Sequence, residues 1–486
     1  RFSLGLSAVR KASPSRASFR FILYRVDPEW HIRSASERYR HFYPELFASS
    51  NRRHGNSTVL RPFSPENQTP WPDNTSDFGI VFGENDFQRT NGEIRPRAAE
   101  EAERLNLIVF HWRGPWYYFH SVDKGISHER QMAILKAQAE GRLPGAHGRN
   151  NQLCGCPYPV SAKAAYNSHL VNAYGQLDRQ HYPSGYGCYL MPMNMNPLLP
   201  KPNRAGLALD WQYRFIERWD DPDFRGPRNF AWDALDHWGG HLRLNFRREH
   251  FVHERQPLVF DAESGRLCIY NGFTHWAFAR LHAGMVRDKG GLIMCNANRE
   301  QALMFCARFI DVQVKERRAS QWDNERLSVE RMLAGTKPIA FLGGHQPAAR
   351  PAMAALVRRL LLFGIASGTR LSDAHRPIMK KYVPVLARIG RAGWQPVPYA
   401  DVGDGILVER FGSGPGPVFF TVRNTSDGPA TTTVRVNRAS AGVPKSAVFR
   451  ELVENRELDV RADDTSTSIS LTIRPGETLV LEAAEK

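Results

Sequence analysis

Between residue 31 and about residue 395 the chain alternates short β-branched or aromatic runs with amphipathic stretches. That alternation limits the fold more than any other feature of the sequence. Eight runs read as buried strands: Phe78–Phe82, Leu107–Trp112, Tyr186–Met191, Phe230–Ala234, Leu292–Asn296, Ile310–Val314, Pro338–Leu342 and Leu362–Ala366. Helical patterns fall between most of them, at 129–140, 162–177, 210–219, 275–287, 299–308 and 324–333. Strands that alternate with helices predict βα units and a parallel sheet. Eight such units predict a closed (β/α)8 TIM barrel over residues 31–398. An open doubly wound sheet is the competing arrangement, but no Gly-rich phosphate fingerprint follows an early strand. The stretch 50–74, where Pro, Asn and Ser cluster, reads as a long loop.

From about residue 400 the helical patterns stop. Short alternating strands take over at 406–411, 418–423, 431–436, 467–473 and 477–482, separated by Gly, Pro and Asp turns. This predicts a small antiparallel β-sandwich over residues 399–486. Residues 1–30 hold β-type pieces, notably Ser18–Tyr24, and read as the remnant of a truncated N-terminal β domain.

Composition removes several classes. With 42% hydrophobic and 23% charged residues the chain is ordinary for a globular protein, not a disordered, collagen-like or coiled-coil one. It contains no apolar run of about 18 residues, the length that a membrane-spanning helix requires. The 65 basic and 49 acidic side chains give a net charge of +16. Such a total suggests a polyanionic partner, yet the arginines are scattered among acids and no nucleic-acid-binding signature appears, so no nucleic-acid or membrane partner is expected. Cys154-Gly-Cys156 is too tight for a zinc pair, and Glu249-His250 lacks a second ligand at helical spacing. Neither a Gly-x-Ser-x-Gly elbow nor a phosphate loop is present, which disfavours esterase and kinase chemistry.

In a TIM barrel, catalytic groups project from the carboxyl ends of the strands. Applied here, that rule selects Glu84; His111, Trp112 and Arg113, with Trp116 beyond; Asn194; Asp233, Asp236, His237 and Trp238; Asn296; Glu316; and His345. Carboxylates, amides and aromatics dominate this set. Paired carboxylates carry out acid/base and nucleophilic work at glycosidic bonds. Flat aromatic rings cover the CH-rich faces of sugars, and Asn, His and Arg bind hydroxyls. Asp233 stands out because Phe230, Ala231 and Trp232 precede it and Leu235 follows, a costly setting for a carboxylate without a task.

Several segments resemble a group of bacterial glycoside-hydrolase-like barrels. They are Ile32–Tyr39 through Phe42–Phe47; Asp77–Phe82 with Glu84; Asp233–Asp236 with Trp238-Gly239 and Asn245–Phe251; Leu292–Asn298 with Ile310–Val312; Lys381–Pro384 through Ala392–Val397; and Glu451–Leu458. The resemblance implies a barrel with a C-terminal β-sandwich. Related barrel glycosidases acting on α-linkages carry an Asp nucleophile on the fourth strand and an acid/base on the sixth. By that resemblance Asp233 is the nucleophile and Glu316 the acid/base, with Asp236 in reserve.

The expectation is therefore a glycoside hydrolase acting on an oligo- or polysaccharide, secreted or periplasmic with a cytoplasmic location as the alternative, with a carbohydrate as its partner and no cofactor. A non-catalytic carbohydrate-binding barrel is the alternative. A barrel enzyme acting on a phosphorylated small molecule is a third reading, for which Gly343-Gly344 and Gly364 offer small residues near the last strands. Because no ligand set has metal spacing, glycosidase activity is expected to survive chelation. Loss of turnover in EDTA with recovery by one divalent ion would overturn this.

Overall fold

The computed structural model describes residues 22–51, 53–60, 73–85, 96–144, 158–182, 188–224, 226–232, 242–296, 306–342, 346–368 and 372–485. Seven parallel strands form one sheet in chain order. They are Asn56–Leu60, Ile80–Asn85, Ile108–Arg113, Phe230–Trp232, Ile293–Asn296, Val312–Lys315 and Ile339–Phe341, called here the first to the seventh. A parallel bridge from Leu342 to Ser57 joins the seventh strand to the first and closes the ring. A second bridge, Ala340 to Ala366, supplies the eighth position. The fold is a TIM barrel.

Side chains of a strand alternate between its two faces, and here the faces are the barrel interior and the helix layer. Phe82, Phe110, Ala231, Met294, Val312, Val314 and Leu342 pack into one interior cluster. Phe230 and Trp232, of opposite parity to Ala231, pack outward against the helices Arg204–Glu217 and Asn271–Arg287. There the Trp232 indole N–H donates to Nδ1 of His282 at 2.8 Å. Burial holds the His282 pKa down at about 3, so the ring is neutral and can accept that bond. The sixth strand alternates Val with Gln313 and Lys315, both buried. Lys315 faces the helix Asn324–Ala334, where its Nζ pairs with Glu330 Oε2 at 2.7 Å, both side chains fully buried.

Two strand expectations need correction. The run at Tyr186–Met191 is not a barrel strand. The strand described there, Cys188–Pro192, lies antiparallel between Tyr117–Ser121 and Gln180–Tyr182, in an excursion between the third and fourth strands. The true first strand, Asn56–Leu60, falls inside the stretch expected to be a loop. It begins with Asn56 and Ser57, both fully buried. Asn56 is satisfied by backbone on both sides: its Nδ2 donates to the Phe78 carbonyl at 2.8 Å, and its Oδ1 accepts from Gly368 N at 2.9 Å.

The C-terminal region is a β-sandwich of a six-stranded and a four-stranded antiparallel sheet. Its strands begin at Trp394–Gln395, slightly ahead of residue 399. Every residue of the strand Val418–Asn424 is buried, because both its faces are covered. Val418, Phe420 and Val422 enter the sandwich core, while Phe419 joins the barrel's helix layer. Thr421 Oγ1 donates to the Leu362 carbonyl at 2.6 Å across the same seam. The helix His31–Phe42 spans the junction. Its Arg33 forks onto Glu409 at 2.9 and 2.5 Å, and Trp394 Nε1 donates to the same carboxylate at 2.8 Å. Residues 22–27 form no strand, and residues 1–21 of the expected β segment lie outside the described residues.

The amino end of the barrel is sealed around a buried lysine. Lys337, fully buried, donates to the Ala307 carbonyl and to the Leu46 carbonyl at 2.8 Å. Burial pushes its ammonium down to about 7, with Asp311 offsetting part of the cost. In the unfolded chain a lysine titrates near about 10.4. Between roughly pH 7 and 10 the unfolded state therefore binds more protons, and folding stability rises with pH. The slope contributed is at most about 1.4 kcal/mol per pH unit. Urea denaturation at pH 7 and pH 9 is expected to show this rise in the wild type and to lose it in Lys337→Met; an unchanged slope in the variant would exclude the assignment.

Candidate active site

The interior cluster fixes which strand-end residues face the barrel mouth. Glu84 stands two residues beyond Phe82, Trp112 two beyond Phe110, Asn296 two beyond Met294 and Glu316 two beyond Val314. By the period of two they share the interior side. Glu84 and Asn296 are almost fully buried there. Trp112 is half-buried and packs on the interior cluster. Glu316 is half-buried, and its Oε2 accepts a hydrogen bond from Asn296 Nδ2 at 2.9 Å. Thus the second, third, fifth and sixth strands each bring one expected residue to the mouth. Arg113 is the last residue of the third strand. Asp233, Asp236, His237, Trp238 and His345 lie outside the described residues.

Three further residues expected to bind sugar are fully buried. His111 faces the helix layer and is fully buried. Its ring stacks on Phe215 at 4.9 Å and lies 5.2 Å from Trp211, with Phe230 edge-on at 5.7 Å. Trp116, also fully buried, sits among Trp232, His275 and Phe278. Both are core packing residues. Asn194 follows the antiparallel excursion rather than a barrel strand. It is fully buried, its Nδ2 lies 3.2 Å from His250 Nδ1, and its Oδ1 accepts from Asn196 N at 2.9 Å.

His250 itself ties the excursion together. Nδ1 lies 2.9 Å from Asn245 Nδ2, and Nε2 lies 3.0 Å from the Asn167 carbonyl. Burial, with the Arg247 charge second, holds its pKa well below the usual histidine value. With Nε2 donating to the carbonyl, Nδ1 is left to accept from the amides. The segment around Glu249-His250 is thus a structural network. Among the described residues no three His, Cys, Asp or Glu side chains gather as a metal site, and no helix is long and apolar enough to cross a membrane.

Sequence reading passed over the pairing of Lys315 with Glu330. Their ion pair anchors the carboxyl end of the sixth strand from behind, one residue before Glu316. The alternation Val312-Gln313-Val314-Lys315 was the available signal, because a lysine at an outward position of a covered strand needs a partner.

No protein-family model and no curated protein matches the chain. Solved structures do match, several glycoside hydrolases among them. A family 27 β-L-arabinopyranosidase from Geobacillus stearothermophilus is 9% identical with a TM-score of 0.41, covering 93% of this chain and 92% of its own. A maltogenic α-amylase from Thermotoga neapolitana is 8% identical with a TM-score of 0.42, covering 89% and 99%. α-Galactosidase I from Mortierella vinacea is 7% identical with a TM-score of 0.40, covering 85% and 89%. At such TM-scores and identities neither a fold nor a residue role is carried from them to this chain.

If Trp116 is core rather than a sugar platform, Trp116→Ala should lower stability by about 3–5 kcal/mol. Carbohydrate affinity per folded molecule should stay within error of the wild type. Urea denaturation together with calorimetric titration checks both; a selective loss of affinity at unchanged stability would return Trp116 to the site.

Proposed function

We propose that the protein is a glycoside hydrolase working at the carboxyl end of its barrel. Asp233 acts as nucleophile and Glu316 as acid/base. The observation that carries this reading is the Asn296–Glu316 hydrogen bond at the ends of the fifth and sixth strands. The amide fixes the orientation of the carboxylate before any substrate arrives, as a reacting group requires. Asp233 follows the last residue of the fourth strand directly in sequence, and the fifth strand lies between the fourth and sixth in the ring. Trp112 and Glu84 add an aromatic face and a second carboxylate to the same mouth, the combination that binds sugars.

In this reading Asp233 attacks the anomeric carbon and the leaving oxygen takes its proton from Glu316. A covalent glycosyl ester forms, and Glu316 then takes a proton from the water that hydrolyses it. Such double displacement requires carboxyl groups about 5–5.5 Å apart; a separation of roughly 6.5–9.5 Å belongs to inversion. Asn296 is a positioning residue for Glu316. Asp236 orients a sugar hydroxyl or tunes its neighbour.

Release of reducing sugar from a glycan panel tests the activity, with Asp233→Asn as control. In that variant binding should persist while turnover falls by several orders of magnitude, since the lost interaction belongs to the transition state. Glu316→Gln should slow substrates with poor leaving groups most, because activated aryl glycosides need little protonation. Asp236→Asn should cost less than either. Near-full turnover in Asp233→Asn with collapse in Asp236→Asn would exchange the two acids. Retention of turnover in all three would move the site elsewhere, with Glu84 as the next acid to substitute. Binding without turnover by the wild type across the panel would replace the enzyme by a carbohydrate-binding barrel.

A further inference from the structure

Away from the barrel mouth, the seam between barrel and sandwich collects three guanidinium groups. Arg358 and Arg359 lie near the end of the helix Arg350–Leu362. Arg423 lies on the strand Val418–Asn424, with the parity of Phe419 and Thr421, which face that helix layer. Thr478 ties the two sides together. Its Oγ1 donates to the Arg358 carbonyl at 2.6 Å and accepts from Arg423 at 3.1 Å.

The three cations are under-used. Arg423, only 9% exposed, gives one further bond, to the Gly476 carbonyl at 2.7 Å. Arg359 gives one, to the Ala319 carbonyl at 2.6 Å. The Nε of all three is buried and makes no hydrogen bond among the described residues. Thr478 Oγ1 holds the Arg358 backbone and the Arg423 guanidinium on one hydroxyl, and burial first, then the like charges of Arg359 and Arg358, push Arg423 down to about 10. Asp323 offsets part of the burial cost at Arg359. Like charges brought together from both sides of a seam are costly unless something neutralises them. Guanidinium forks match oxyanions in bidentate geometry.

We infer that Arg358, Arg359 and Arg423 form a binding site for a small oxyanion, phosphate or sulfate, either free or carried as an ester on a sugar. The anion neutralises both sides of the seam and fastens the sandwich to the barrel. The inference is independent of the catalytic reading, because none of these residues lies at the barrel mouth.

Thermal melts and calorimetric titrations of the full chain test it, with sodium sulfate and sodium phosphate compared with sodium chloride at matched ionic strength. Saturable binding of sulfate or phosphate, with a rise in Tm that chloride does not reproduce, is expected. Arg358→Gln removes a charge that makes no side-chain bond among the described residues, so it should fold. It should weaken anion binding roughly tenfold or more. It should also leave the anion-free Tm unchanged or raise it by relieving repulsion, which a purely structural arginine would not do. Arg423→Lys keeps the charge without the fork and should weaken binding as well. Glucosamine 6-sulfate in a further arm separates the sources: tighter binding than free sulfate assigns the site to an esterified sugar, and weaker binding assigns it to the free anion. Equal effects of chloride and sulfate, or unaltered sulfate binding in Arg358→Gln, would overturn the site.

Discussion

Parity on closed parallel strands is the constraint on which the rest of this molecule depends. Once the ring closes between Leu342 and Ser57, each strand residue has only two destinations. On the third strand Phe110 and Trp112 turn inward, and His111 between them is sealed among Trp211, Phe215 and Phe230. On the sixth, Val314 turns inward and Lys315 outward to Glu330. A shift of one residue in register would exchange these faces. It would send a buried ion pair into the barrel and a carboxylate into the helix layer. The hydrogen bond between Asn296 and Glu316 exists because two neighbouring strands keep the same parity to their ends.

The same constraint explains what the sequence made legible. The strands at Phe230, Ile293, Val312 and Ile339 announce themselves by short apolar runs between helices, and the fourth strand keeps its number only because two errors cancel. Asn56–Leu60 was missed, and Cys188–Pro192 was counted in its place. Neither error has a local cure. Asn56 reads as a loop residue, and the partners that let it be buried, Phe78 and Gly368, are contributed by distant chain. Cys188–Pro192 is fully buried like a barrel strand, and whether its neighbours run parallel or antiparallel is written nowhere within it.

For the site, position was legible and orientation was not. The rule that chemistry sits at carboxyl strand ends selected Glu84, Trp112, Asn296 and Glu316 along with His111 and Trp116. Nothing local separates the two groups. Phe110-His111-Trp112 belongs to a strand covered on both faces, so it carries no polar alternation to mark its inner side. Only the assembled cluster of Phe82, Phe110, Met294 and Val314 sets the phase.

The basic composition also becomes intelligible in the assembled fold. Part of it is spent internally, as guanidinium groups that satisfy carbonyls where chain segments meet. Arg331, nearly fully buried, donates to the carbonyls of Phe363, Gly335, Lys337 and Gly364. Arg204 serves Pro115 and Tyr117, and Arg410 serves Val397 and Ala441. Each closes a junction that neither helix nor sheet hydrogen bonding could close, since loop carbonyls left dry are costly. Burial penalises the cation and lowers the pKa of Arg410 and of Arg331, which goes to about 9, still charged at neutral pH. Arg358 is the exception that gives the rule its use. Among the described residues its guanidinium fastens no carbonyl, and a cation without an internal task is where an external anion belongs.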